Sequence, residues 1–469
     1  MNIMLINISL RPESKVKLFP IGIGYIATAM KNAGYGFDLI DIDAERYSEH
    51  EVDDFLQRKK YDVIAMGCIV TGYSKVKDLC RRVRHYQKDA LIVVGNSVAT
   101  SIYQILLTKT EADVAVMGEG DITIVDLLDA VRDNRDLSTV KGISYKTNGG
   151  GVIKNELRPA IADISTLPHI DFSLFNVEEY IRNTKEQIAE DSTPLRREEV
   201  RALPLNTARG CVANCTFCYH NFRGYKYRYR SVESVLNEAR SMIEKYNLNY
   251  IMFGDELTIF SRQRAIELAE GILESGLKFY WQATCRADCF TKESDVEIMR
   301  KMKQAGCMGA AFSLESSNEE ILKMMNKHIT REDFSRTARL FHEAGIVPRT
   351  SLVIGYPIET IDTIKDTFNC CIENDIYPSA GYLLPQPGSV MYDYAKEHGF
   401  INDEEDFLMA MGDRQDLRIN MTHIPDNEME ECVIECLSKC NNELAMGLDR
   451  DHLIRTQYYR KPKKVMPAH

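Results

Sequence analysis

The 469-residue chain contains no apolar run of 18 residues, so no membrane-spanning helix is expected. It has no excess of basic charge: 58 Lys and Arg stand against 69 Asp and Glu, a formal net charge of −11. That balance argues against broad phosphate-backbone binding, and no nucleic-acid partner is expected. The one basic cluster, Tyr459–Lys464, reads as a solvated end. The opening MNIMLINISL lacks a basic region and a cleavage site, and reads as a first strand rather than a leader. No GxGxxG follows that strand, which disfavours a dinucleotide site. Tryptophan occurs once, Trp281, where a core position is the ordinary outcome. Cysteine, by contrast, is plentiful. Thirteen cysteines without an export signal point to a reducing, cytoplasmic setting, where clustered cysteines bind metal more often than they pair.

Over the first 140 residues short apolar runs alternate with amphipathic stretches, the pattern of a parallel α/β sheet. Runs near Ile3–Ile8, Phe37–Ile42, Val63–Met66, Leu91–Val94 and Val114–Met117 read as strands, with helices such as Ile23–Asn32 and Lys75–Tyr86 between them. A flavodoxin-like, doubly wound domain over 1–140 follows, with ligands expected beyond the C-terminal strand ends. The loops there are Thr71-Gly72-Tyr73, Gly95-Asn96-Ser97 and Gly118-Glu119-Gly120; each also reads as a plain strand end and helix cap. Residues 141–200 read as a linker, with a hairpin turn at Asn148–Gly151 and a charged connection over Thr184–Val200.

A second series starts near Leu203. Candidate strands are Leu203–Thr207, Tyr250–Phe253, Phe279–Ala283, Gly309–Leu314, Pro348–Ile354 and Ala380–Leu384, with helices between. Six repeated units over 201–395 favour a partial (β/α)6 barrel, and 396–469 reads as a helical C-terminal extension.

The chemistry concentrates in "TARGCVANCTFCYH", residues 207–220. A structural zinc site wants four closed ligands, whereas Cys211, Cys215 and Cys218 offer three in a C-x3-C-x2-C spacing. Cubane iron–sulfur clusters normally take four thiolates, so three would leave one iron open to a small molecule. This motif, with Phe217 before and Tyr219 after the third cysteine, resembles the signature of the radical S-adenosylmethionine superfamily. The resemblance implies that the three cysteines hold a [4Fe–4S] cluster. Its open iron would bind S-adenosylmethionine, and one electron would cleave the sulfonium to a 5′-deoxyadenosyl radical.

Further matches fall at barrel strand ends, where such a site belongs. Asp255-Glu256 resembles the family's acidic element for the substrate ammonium; an acid cluster capping a helix is the alternative. Arg286 stands where the family places a charged residue near the methionyl carboxylate, with a surface salt bridge as the alternative. Glu315 matches an acidic position near the ribose and methionine, while Ser317 with Glu320 reads as a capping box. "VIGYPIET", with Gly355 and Pro357, resembles the adenine-side loop, although Gly-x-Pro also simply turns a chain. "LLPQPGSVMYDYA" is similar to a P-x-P-G-T segment of the same branch.

The first domain resembles the cobalamin-binding class of this superfamily through "PIGIGYIA", "VVGNSVAT" and "ADVAVMGEGD". On that resemblance the three loops named above would face cobalamin. No D-x-H-x-x-G motif supplies an axial histidine, and Asn96-Ser97-Val98 replaces the class's Gly-Pro-His. The resemblance implies a cobalamin-dependent C-methyltransferase acting on an unactivated carbon of a small molecule or lipid precursor. A low-potential donor such as flavodoxin or ferredoxin would supply the electron. An oxidative cyclase of the same class and a non-catalytic cobalamin or iron–sulfur carrier are the alternatives. Cys432, Cys436 and Cys440 form one helical stripe, read as core in preference to a second metal site.

Overall fold

The structure, a computed structural model, describes residues 1–14 and 16–454, so Tyr459–Lys464 lies outside the described residues. The chain divides into two compact units. The first comprises residues 1–183, 219–226 and 386–412; the second comprises 184–218, 227–385 and the chain from Asp413.

In the first unit, near-continuous aliphatic runs form strands buried on both faces, as a parallel sheet requires. These are β1 (Ile3–Asn7), β2 (Asp38–Asp41), β3 (Val63–Gly67), β4 (Leu91–Gly95) and β5 (Val114–Val116). They run parallel in the order β2-β1-β3-β4-β5, the flavodoxin arrangement. Where the sequence suggests a linker over 141–200, β6 (Ile143–Lys146) and β7 (Val152–Lys154) extend this sheet antiparallel. The hairpin between them turns at Thr147–Gly151, with Gly150 at φ 80°. Helix Val177–Thr184 follows, and the Tyr180 hydroxyl donates to buried Asp41 at 2.6 Å. Residues 386–412 add helices Val390–Glu397 and Glu404–Ala410; Glu405 of the second pairs with Lys77. That segment therefore belongs to the first unit, not to a separate C-terminal region beginning at 396.

In the second unit β8 (Ala202–Leu205), β11 (Tyr250–Phe253), β12 (Tyr280–Thr284), β13 (Cys307–Ala311) and β14 (Val347–Arg349) form a parallel sheet in that spatial order. A short antiparallel pair, β9 (Ala208–Arg209) and β10 (Arg228–Tyr229), brackets the cysteine segment. The expected strand Pro348–Ile354 breaks at Thr350, whose buried hydroxyl accepts from the Leu314 N–H at 2.9 Å. Its second half, β15 (Ser351–Ile354), pairs in parallel with β16 (Ser379–Tyr382). A bridge between Glu315 and Leu352 carries the curvature onward, completing a six-unit partial barrel.

Residues 185–200, expected as a flexible connection, are packed against the N-terminal ends of the barrel strands. Ile188 and Val200 are buried with Ala202 and Tyr250, Ser192 is fully buried, and Asp191 pairs with Arg349 at 2.5 Å. Charge patterning alone hides this role, because the apolar residues are sparse. Helix Asp426–Glu443 packs on Ile361–Glu373 and buries Cys432, Cys436 and Cys440. Burial pushes the Cys436 and Cys440 thiols up to about 12, as inert core groups. Trp281 is likewise core, donating to Ala305 O at 2.8 Å. The Ser317–Glu320 capping box does not form: the helix starts at Glu319, and Asn318 caps it through Ile321 N–H at 3.1 Å. Ser317 instead donates to Asp366 at 2.6 Å.

Two outcomes follow from this packing. Gly306 sits at φ 90°, and a Cβ there would lie 2.2 Å from Phe279 O. Gly306→Ala is expected to cost at least about 2 kcal/mol, read as a lowered midpoint in urea unfolding. Buried Glu359 accepts from the Gly355 and Tyr356 N–H groups, and burial raises its carboxyl to about 7. The folded state therefore holds a proton that the unfolded chain releases near 4.5, and this contribution to stability is lost as pH rises through about 7. Glu359→Gln should flatten the change in melting temperature between pH 5 and pH 8; an unchanged slope would refute the assignment.

Candidate active site

The segment from Gly210 to Cys218 has no regular ladder, so side chains hold it. Gly210, at φ 92°, turns the chain out of β9. Thr216 then fixes the loop: its N–H donates to Met325 O and its hydroxyl to Met324 O, both at 2.9 Å. The same hydroxyl meets the Tyr356 hydroxyl at 2.9 Å, and Phe217 packs edge-on to the Tyr356 ring, centroids 6.4 Å apart. Asn326 adds a bond from Nδ2 to Asn214 O at 3.0 Å. Cys215 is buried and Cys211 and Cys218 are partly exposed.

Among the described residues no three His, Cys, Asp or Glu side chains converge on one ion position. A cubane needs no such convergence, since its three thiolates bind three different irons. Burial raises the Cys215 thiol, while the charges of Lys327 and Arg286 favour its thiolate. The donor set, three thiols on one short loop, thus fits a [4Fe–4S] group.

The two acids after β11 have separate tasks. Asp255 is buried and accepts from Thr207 N–H at 2.7 Å, Thr207 Oγ1 at 2.6 Å and Ala208 N–H at 2.9 Å. It ties the end of β8 to the end of β11, and burial raises it to about 6. Glu256 keeps exposed surface although protein surrounds it, and its carboxylate accepts from Gly210 N–H at 3.4 Å. Burial and the adjacent Asp255 charge raise Glu256 to about 7. Among the described residues Glu256, beside the cysteine loop, forms no ion pair.

Glu315 adopts φ 64°, a left-handed conformation that is strained for a glutamate, and such strain gathers at functional sites. Its carboxylate meets Lys327 Nζ at 3.1 Å and Ser351 Oγ at 3.3 Å. Lys327 escaped the sequence reading; its only signal was a cation in "MNKH" just after a short helix. Arg286 is clamped by Asp288, two bonds of 2.8 Å, and donates to Lys327 O at 2.9 Å. Arg286 is thus held in a partly buried salt bridge. Gly355, at φ 105°, and half-buried Pro357 shape the turn after β15. Tyr219 lies in the first unit, its ring against Gly388, where a Cβ would come within 2.5 Å.

In the first unit the three candidate loops are partly consumed by the fold. Gly72 is buried, a Cβ there meeting Cys68 and Leu10 at 2.4 and 2.5 Å. Tyr73 is fully buried with its hydroxyl on Glu405 at 3.2 Å, Ser97 accepts from Val70 N–H at 2.8 Å, and Glu119 accepts from Ile161 N–H at 2.7 Å. Gly120 packs closely on Ile26. Thr71, Gly95 and Gly118 remain partly exposed at the strand ends, beside exposed Ile69 and Ile122. Asn96, at φ 73° and ψ −162°, holds a glycine-like conformation and accepts from Asn221 Nδ2 at 2.8 Å. Val98, where the class has histidine, is core. These loops offer apolar surface and backbone but no imidazole, which fits a corrin held without a protein nitrogen ligand.

Comparisons with known proteins agree with this layout. The Radical SAM superfamily profile matches residues 205–371, and the B12 binding domain profile matches residues 10–128. An uncharacterised methyltransferase of Pyrococcus horikoshii is 26% identical over 409 residues, 84% of each chain. The anaerobic magnesium-protoporphyrin IX monomethyl ester cyclase of Rubrivivax gelatinosus is 26% identical over 355 residues, 74% of this chain and 61% of that one. Among solved structures, the radical S-adenosylmethionine methyltransferase TsrM of Kitasatospora setae superposes with a TM-score of 0.67 at 18% identity, covering 85% of this chain and 77% of that one. With its three-cysteine barrel loop and its flavodoxin-type first unit, the chain combines a radical SAM domain over residues 205–371 with a B12 binding domain over residues 10–128.

Proposed function

We propose that the protein is a cobalamin-dependent radical SAM C-methyltransferase acting on an unactivated carbon of a small molecule or lipid precursor. The observation that carries this is the cysteine loop beside Glu256, an acid that forms no ion pair among the described residues, in a chain that also has a B12 binding domain. When bound, the cluster and cobalamin supply the electron that opens S-adenosylmethionine and the methyl group to be transferred.

The chain's own residues then have defined tasks. Cys211, Cys215 and Cys218 hold the cluster, and Thr216 sets their positions from behind. Glu256 accepts hydrogen bonds from the amino group of S-adenosylmethionine. Asp255 positions that acid by tying down Thr207 and Ala208. The Glu315–Lys327 pair faces the ribose and methionine side, with Arg286 behind Lys327. Phe217, Gly355 and Pro357 line the adenine side, and Thr71, Gly95 and Gly118 approach the corrin. A flavodoxin or ferredoxin is the electron donor.

The named methyltransferase relatives support this reading. The cyclase of Rubrivivax gelatinosus favours a second one, an oxidative cyclase that uses the radical without methyl transfer. Anaerobic incubation with dithionite and S-adenosylmethionine, in the presence of substrate, separates them. Methyl transfer forms 5′-deoxyadenosine and S-adenosylhomocysteine together, whereas a cyclase forms 5′-deoxyadenosine alone; neither product from cluster-loaded protein would overturn both. Cys215→Ala should lower iron from about four per chain to below one, measured with sulfide after anaerobic reconstitution, at a retained circular dichroism spectrum. Retention of full iron by that variant would exclude the assigned ligand set.

A further inference from the structure

Most charges on the concave face of the barrel are already matched. Arg286 is clamped by Asp288, Lys327 by Glu315, and Arg349 by Asp191. Arg414 is different. It reaches this face from the segment after the first unit's last stretch, and its backbone carbonyl accepts from Tyr382 N–H at 2.7 Å, along the outer edge of β16.

Its side chain then crosses the sheet. Three of its atoms lie 3.0–3.1 Å from where a Cβ of Gly381 would stand, so the glycine is what lets it lie flat. The guanidinium ends over the β15–β16 seam, donating to Leu352 O at 3.4 Å, Ser379 O at 3.3 Å and Ser379 Oγ at 3.1 Å. Register defines which face this is. Ser351 pairs with Ser379 and Val353 with Gly381, so all four side-chain positions point the same way. Ser351 bonds Ser313 at 2.7 Å and Glu315 at 3.3 Å, which marks that face as the one bearing the candidate site. The opposite face carries fully buried Leu352 and Ala380, under helix Ile361–Glu373.

Arg414 meets no carboxylate among the described residues, and two of its three bonds are longer than the usual N–H···O range. A guanidinium has five donors in a planar fork suited to two oxygens of one anion, and this one remains half-buried with capacity unused. A purely structural staple would explain the carbonyl contacts but not the absence of a counter-charge on a face where Arg286, Lys327 and Arg349 each have one.

We infer that Arg414 is a substrate-specificity residue that binds a carboxylate or phosphate group on the substrate. The inference rests on the radical SAM reading only for calling that ligand the substrate. The binding partner is therefore a small molecule bearing an oxyanion, not a neutral hydrocarbon, and its anionic end sits over β15–β16.

The test uses cluster-reconstituted full-length protein with S-adenosylmethionine present, titrated calorimetrically with phenylacetate and with phenyl phosphate. Phenylacetamide and benzyl alcohol serve as neutral counterparts. One anion at least should bind, and either may be the preferred one, which identifies the oxyanion. Arg414→Gln should weaken it tenfold or more, the scale of a lost charge-assisted bidentate bond, and Arg414→Lys should restore part of the affinity. Gly381→Ala, which crowds the guanidinium without removing it, should weaken the same anion. Thermal melts of each variant establish that it is folded. Equal binding of the neutral compounds, no binding of either anion, or undiminished binding by folded Arg414→Gln overturns the inference. Formation of 5′-deoxyadenosine by the unsubstituted protein is measured separately; its absence would remove the radical reading while leaving the anion result intact.

Discussion

Thr216 is the contact on which the candidate site turns. Three cysteines on an irregular loop have no ladder to space them, and a loop's backbone groups must find partners elsewhere. Thr216 supplies them with its N–H and its hydroxyl, anchoring the loop to Met324, Met325 and Tyr356. The loop's geometry is therefore borrowed from two later barrel units, the helix before Asn326 and the turn after β15. That turn is itself held by Glu359 through the Gly355 and Tyr356 N–H groups. The cysteine loop and the Gly355–Pro357 turn are thus mechanically one assembly.

Charge on the concave face is similarly shared out. Cations that lie deep in a barrel cost free energy unless paired, and three of them are paired within the second unit. Among the described residues Glu256 beside the cysteine loop and Arg414 across β15–β16 form no ion pair. One is an acid and the other a base. Glu315, in a left-handed conformation, contacts Ser351 of β15.

Much of this was legible before any coordinates. Aliphatic runs bounded by turn residues located the parallel strands, Tyr250–Phe253 without error. The C-x3-C-x2-C spacing identified the cluster loop because ligand spacing is local. Other features misled for physical reasons. The stretch 141–200 looked like a linker because β6 and β7 are short and residues 185–200 are charged, yet both pack. Gly72, Tyr73 and Ser97 looked like ligand contacts because small and polar residues at strand ends serve both purposes, and here close packing and hydrogen bonds to Val70 and Glu405 use them. Arg414 was invisible, since nothing in its neighbourhood of sequence places it over Gly381.

The sequence by itself determined where most of the parallel strands lie, the spacing of the three thiols and the absence of an axial histidine motif. These depend on composition and spacing within a few residues, where periodicity and ligand geometry act directly. Tertiary structure alone decided which polar groups are already satisfied. It assigned Asp255 to the backbone and left Glu256 open, gave Glu315 the partner Lys327, and brought Arg414 back to a sheet more than thirty residues earlier. Satisfaction of charge and hydrogen bonds is a property of neighbours in space, and no local pattern encodes it.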